Sequence, residues 1–397
     1  MPIDPTRQRQ AKEYARIRHR LWALDLVLST LALVVVLVLG LNVWLKQIVL
    51  VLAPNVWLST FLYFAVALIA YEALFFPLSY YSGYVLPHRY GLSTQALRAW
   101  LIDVAKGGAL GIVLGGLVIE VIYALLRGDL PLPLLSAGGA GGGYPLLSAG
   151  GAGGGWWLWA SAFMILFSVV LANLAPVLIF PIFFKFKPLD DADLVARLTA
   201  LAERANTRVR GVYTMMLSEK TTEANAALMG LGNTRRIVLG DTLYEKYTPD
   251  EIESILAHEL GHQVHHDIGW SLVAQTALTI AGFFIADVFL KWSVAQLHYA
   301  GIADLAAMPL FALALGVFGF VTMPLGNAFS RWRESLADDY ALQTTYNASA
   351  FIGAMEKLAN QNLAELEPEP WVEWLLYDHP PIGKRLKRGA QFAATHG

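Results

Sequence analysis

The chain has 397 residues, of which 56% are hydrophobic and only 15% charged, against about 25% charged in an ordinary soluble domain. Its mean hydropathy of +0.48 excludes a water-soluble globule, a disordered chain and a fibre, and a formal net charge of −2 gives no basis for binding nucleic acid. There are no cysteines, so disulfides, thiolate metal sites and cysteine nucleophiles are excluded, and any metal must be held by His, Asp or Glu.

The first 20 residues carry Arg7, Arg9, Lys12, Arg16, Arg18 and Arg20 against Asp4 and Glu13. They read as a basic cytoplasmic N-terminus under the positive-inside rule. A helix needs about 20 apolar residues to cross the hydrocarbon core. Residues 21–184 supply four such runs, at about 21–45, 57–78, 101–126 and 156–184. The first is too long for a signal-peptide core and reads as an anchor.

Between the third and fourth runs, residues 131–155 hold a tandem duplication, PLLSAGGAGGGY followed by PLLSAGGAGGG and Trp156. Its glycines are too dense for a helix, and it lacks the Lys-Ser/Thr of a phosphate loop, so it reads as a flexible outer loop without chemistry. Residues 185–267 are charge-rich and read as a separate cytoplasmic domain. Two further spans, about 268–290 and 306–329, occupy residues 268–330, and a polar C-terminal domain follows over 331–397. Six spans return the chain to its starting side. Both termini then share that side with the loop carrying His88 and Arg89, with Lys185 and Lys187, and with Arg331 and Arg333. The expected fold is an all-α multi-span membrane protein with a small α+β domain inserted between spans four and five.

Chemistry concentrates in TPDEIESILAHELGHQVHHD, residues 248–267. Thr248, Pro249 and Glu251 form a helix start, with a capping Thr, Pro in the first turn and Glu three residues after the cap. Within that helix lies HExxH: His258 and His262 are one turn apart and share a face, so both imidazoles can reach one ion. Glu259 sits beside them, placed to take a proton from water activated there. His265, three residues beyond His262, reads as a solvent or interface histidine. A catalytic zinc takes three protein ligands and one open position. Without cysteine, the best third candidate is Glu334, with Asp338 one turn further on the same face, positioned to accept the N–H of a liganding imidazole.

HELGH, two spans, and then Glu334 with Asp338 resemble the type I CAAX prenyl endopeptidase family and its bacterial relatives, which are integral-membrane zinc metalloproteases. Three further stretches resemble the same family. They are Tyr90-Gly91-Leu92-Ser93 followed by Asp103 and Lys106, Asn225-Ala226 with Arg236-Ile237-Val238-Leu239, and His379-Pro380-Pro381 with Arg385. The resemblance implies one zinc ion on His258, His262 and Glu334, and Glu259 as general base and later proton donor. It implies that Asp338 supports a ligand and that Asn225 holds the substrate backbone. His379 and Arg385 would stabilise the oxyanion or the substrate near the cleaved bond. The implied substrate is a peptide or protein at the lipid bilayer, cut at a C-terminal tripeptide beside a lipidated cysteine. The implied location is a bacterial plasma membrane rather than the endoplasmic reticulum. The chain departs from the family in having six spans rather than seven, and Ala227 where an aromatic is usual. Two alternatives stand beside this reading: a membrane quality-control metalloprotease cleaving misfolded proteins, and a non-enzymatic membrane transporter.

Overall fold

The structure, a computed structural model, describes residues 2–130, 155–230 and 232–396. Residues 131–154 of the Gly-rich duplication lie outside the described residues. Among the described residues, six helices are long and apolar enough to cross a membrane: Pro5–Val38, Val56–Arg89, Leu97–Arg127, Trp156–Phe183, Asp267–Leu297 and Leu305–Thr345.

Three boundaries differ from expectation in ways that bear on the site. The first helix starts at Pro5, where the Asp4 carboxylate accepts the N–H groups of Thr6 and Arg7, so the basic head is the opening of the spanning helix and not an arm before it. Gly40, at φ 66°, ends the apolar run that was expected to reach residue 45, and a short apolar helix, Leu41–Leu52, follows. The left-handed conformation there suits glycine and few other residues. The sixth span also runs past its expected end. No Pro or Gly follows Gly326 to break it, and it continues to Thr345, closed by Tyr346 at φ 49°. Glu334 and Asp338 therefore ride on the extension of a span and not in a separate C-terminal domain.

A charge inside a span costs free energy unless it is paired. Asp287 accepts Trp156 Nε1–H at 2.6 Å and Lys291 Nζ at 2.8 Å. Around this pair, Trp156, Phe283, Leu290 and Phe311 pack with Tyr63 and Tyr123 at one end of the helices.

The other end carries the four-stranded sheet, ordered β1 (Phe186–Pro188), β2 (Val212–Met215), β4 (Arg236–Gly240), β3 (Ala226–Met229). β2 and β4 are parallel, and the two edge strands, β1 and β3, run antiparallel to their neighbours. The central strand reads Ile237-Val238-Leu239, and its two-residue period sends alternate side chains to opposite faces. Ile237 and Leu239 join Leu198 and Leu201 of the helix Ala192–Arg204, and Leu256 and Leu260 of the helix Pro249–Val264, in one buried core. Val238 points the other way, toward Phe184 and Phe186 at the foot of the fourth span.

The N-terminus reaches the same end. Asp4 N–H donates to Asn360 Oδ1 at 3.0 Å, and Arg7 Nε to the Asn360 carbonyl at 2.9 Å.

Candidate active site

The helix Pro249–Val264 begins as its sequence requires. Thr248 Oγ1 accepts Glu251 N–H, and the Glu251 carboxylate accepts Thr248 N–H at 2.7 Å, satisfying two otherwise orphaned donors reciprocally. The helix then packs against the extension of the sixth span with almost no separation at Gly261. A Cβ there would lie 2.9 Å from Ala337 Cα. Bare backbone at that point lets the two helices close, and closure brings Glu334 to the histidines.

The resulting cluster is compact. One ligand atom from each of His258, His262 and Glu334 can be chosen so that all lie within 4.8 Å of one another. Glu334 spans the two rings, with Oε2 3.1 Å from His258 Nε2 and Oε1 3.4 Å from His262 Nε2. The rings stand nearly perpendicular, at 88°, with centroids 5.0 Å apart. Each ring is held from behind by a carboxylate. Asp338 Oδ1 sits 2.9 Å from His258 Nδ1, and Asp267 Oδ2 sits 2.7 Å from His262 Nδ1. Both carboxylates are held in turn by arginine: Arg385 Nε and Nη2 donate to Asp338, and Arg333 Nε donates to Asp267 at 2.6 Å.

Electrostatics match the geometry. Burial disfavours a charged His258, but the Asp338 and Glu334 carboxylates outweigh it and raise the imidazole to about 9. A buried imidazole between two carboxylates calls for a cation, whether a proton or a metal ion. Glu334 Oε2 is also buried without a hydrogen bond, although His258 Nε2 is close. A carboxylate set between two oriented imidazole nitrogens, with one oxygen left orphaned, is a donor set that a divalent metal satisfies.

The remaining candidates surround this cluster. Glu259, His379, Asn225 and Arg385 line one cavity of about 630 Å³ together with His258. His379 Nε2 is 3.3 Å from Glu334 Oε1, and its Nδ1 is 2.8 Å from Asp378 Oδ1, which raises the imidazole above its ordinary value. Asn225 is exposed at the entry to edge strand β3, and its carbonyl accepts Gly240 N–H at 2.8 Å. Arg385 differs from expectation. Its guanidinium lines the cavity but is buried and donates to Asp338, the carboxylate behind His258. Burial works against its charge, and the Asp338 carboxylate more than restores it. His265 stands outside the cluster. It caps the helix, its carbonyl accepts from Arg333 Nη2, and its ring meets Tyr340 edge-on.

With the site's geometry established, comparison with known proteins decides the family. Residues 188–391 match peptidase family M48, and residues 2–129 match the N-terminal region of CAAX prenyl proteases, described as five membrane helices. The chain belongs to peptidase family M48. It is an integral-membrane metalloprotease. The uncharacterized metalloprotease YhfN of Bacillus subtilis is 29% identical over 97% of this chain and 86% of its own length. CAAX prenyl protease 1 of Saccharomyces cerevisiae is 26% identical over 78% of this chain and 67% of its own. The crystal structure of Saccharomyces mikatae Ste24p shares the fold, with a TM-score of 0.80, 21% identity, and coverage of 97% of this chain and 89% of that one.

Two parts of this M48 site escape a linear reading of the sequence. Asp267 follows His262 by five residues, but it turns back only because the helix ends and His266 adopts φ 54°. The cavity wall formed by Tyr14, Arg18, His19 and Trp22 belongs to the first span, far from any motif. Its only sequence signal is the i, i+4, i+8 spacing of Tyr14, Arg18 and Trp22, which puts them on one helix face.

Proposed function

We propose that the chain is a zinc endopeptidase with the ion held by His258, His262 and Glu334. The observation that carries this is the convergence of those three ligands, each imidazole oriented by its own carboxylate, beside Glu259 in an open cavity. Zinc in such a site supplies Lewis acidity toward the scissile carbonyl and the attacking water. Glu259 accepts the proton from that water and passes it to the leaving amine. His379, whose charged form the Asp378 carboxylate favours, is placed to donate to the oxyanion that develops on the carbonyl oxygen. Asn225 and the free edge of β3 hold the substrate backbone in extended form, as an exposed strand edge does. Asp338 with Arg385 and Asp267 with Arg333 keep the ligand imidazoles in one tautomer and one orientation.

The substrate is a protein or peptide presented at the membrane, and the CAAX protease relatives favour a C-terminal segment beside a lipidated cysteine. A cytoplasmic site is favoured by the basic opening of the first span, since the N-terminus and the sheet share one end of the molecule. The relative in Bacillus subtilis favours a bacterial plasma membrane.

The test begins with purified protein. It should carry about one zinc per chain, as a three-ligand catalytic site does, and cleave a fluorogenic peptide, whereas Glu259→Gln should hold zinc without cleaving. Protein without zinc, or a Glu259→Gln variant as active as the parent, overturns the mechanism. Equal rates on prenylated and unprenylated peptides would replace the CAAX reading with membrane quality control.

A further inference from the structure

The cavity that holds Glu259 and His379 has a second wall, made by the first span. Tyr14, Arg18 and Trp22 present one helical face to it, with His19 alongside. Tyr14 is buried and fixed against Tyr90, ring centroids 5.2 Å apart. Arg18 lies over the Tyr14 ring, its guanidinium carbon 5.7 Å from the centroid, while the residue itself is exposed. The basic side chains of the opposite wall are committed: Arg385 to Asp338, His258 to Asp338 and Glu334, and His379 to Asp378. Arg18 differs. Among the described residues no carboxylate lies within 4.0 Å of it, and no hydrogen bond engages it. Glu223 and Glu365 border this region, but neither pairs with it.

A guanidinium held over an aromatic ring, facing a cavity and lacking a partner, is built to receive an anion. The cavity, at about 630 Å³, falls within the range of pockets that enclose small ligands. A cavity of that size takes a short stretch of peptide. The charge that every peptide end carries, whatever its sequence, is the C-terminal carboxylate. We propose that Arg18 binds the C-terminal carboxylate of the substrate, so that the enzyme measures its cut from a free chain end. The inference rests on the metalloendopeptidase reading above and adds to it a specificity-determining residue in the first span.

The experiment compares three fluorogenic peptides of one sequence: one ending in a free acid, one in an amide, and one in an amide preceded by an added glutamate. Wild type should cleave the acid with kcat/KM about tenfold above the amide, the scale of one charge-assisted hydrogen bond. In Arg18→Gln the acid-to-amide ratio should fall to near one, and Arg18→Lys should keep an intermediate ratio. A wild-type ratio of one, or an undiminished ratio in Arg18→Gln, overturns the assignment. So does a glutamate-bearing amide cut as fast as the acid, because an acidic side chain would then be the true ligand. Cleavage of none of the three by wild type strikes instead at the protease reading itself. A readout free of variants guards against misfolding: a short unlabelled peptide acid should inhibit wild type about tenfold more strongly than its amide, and equal inhibition again overturns the proposal.

Discussion

Glu259 and Asp267 make different demands on the same ion site, and substitution separates them. Glu259 lines the cavity, whereas Asp267 is buried behind His262. In the proposed mechanism, Glu259→Gln removes a proton acceptor and leaves the three proposed ligands intact. Turnover should fall by about 10²- to 10⁴-fold, the range of a lost general base, with metal content unchanged by atomic absorption. Asp267→Asn weakens the acceptor that fixes His262 Nδ1 and leaves Arg333 buried without its carboxylate. Metal affinity should then drop about 10- to 100-fold, read by competition with a chelator, and activity should return as zinc is added. If Asp267→Asn binds metal as tightly as wild type, its proposed role is wrong. The two variants also mark what can be read from the chain alone. His258, Glu259 and His262 share one helix turn and are legible there. Glu334 is legible only as a match of spacing, because two spans intervene. Asp267 is hidden, because its position depends on a left-handed His266 that no propensity rule predicts.

At the scale of elements, the site depends on how closely two helices approach. The helix Pro249–Val264 and the extension of the sixth span touch backbone to backbone at Gly261, where an added Cβ would meet Ala337 Cα at 2.9 Å and its carbonyl oxygen at 3.2 Å. Backbone cannot swing aside as a flexible side chain can. Gly261→Ala should therefore separate the helices at the level of Glu334, at about 1–3 kcal/mol for overpacking, and loosen the grip of Glu334 on the ion. Thermal unfolding and zinc titration should both register the change. Gly269→Ala, where nothing lies within 4 Å of the added carbon, should register in neither. The glycine of HELGH is thus a packing residue inside a catalytic motif, and pattern alone does not separate the two functions. Helix ends were equally opaque. The first and sixth spans were found from apolar density, but their limits were set by the Asp4 cap, by Gly40 and by Tyr346. A hydropathy run does not record where a helix continues into water.

For the whole molecule, the question is what aligns the sheet with the membrane helices. The loop after the second span is stitched to the segment before β3. Ser93 and Thr221 form an antiparallel bridge, Thr94 N–H donates to the Lys220 carbonyl at 3.1 Å, and Thr222 N–H donates to the Leu92 carbonyl at 3.0 Å. This gives the Tyr90-Gly91-Leu92-Ser93 stretch a structural task, since the segment it anchors runs directly into Asn225 and the β3 edge. One ion pair reinforces the seam: Lys220 Nζ donates to Asp103 Oδ2, which also accepts Gln95 Nε2–H at 2.6 Å. Both side chains are about one-fifth exposed, so the pair falls between the surface limit and the buried one. Lys220→Met should cost about 1–3 kcal/mol on that scale. Asp103→Asn should behave alike, which separates loss of the pair from loss of the contact between Lys220 and Phe184. The proposed zinc ligands lie on other elements, so metal content should hold. The substrate edge should not hold its place: KM should rise more than kcat falls, and the 216–225 segment should become the first site of limited proteolysis. If both variants leave KM and the proteolysis pattern unchanged, the backbone bridge alone aligns the two halves.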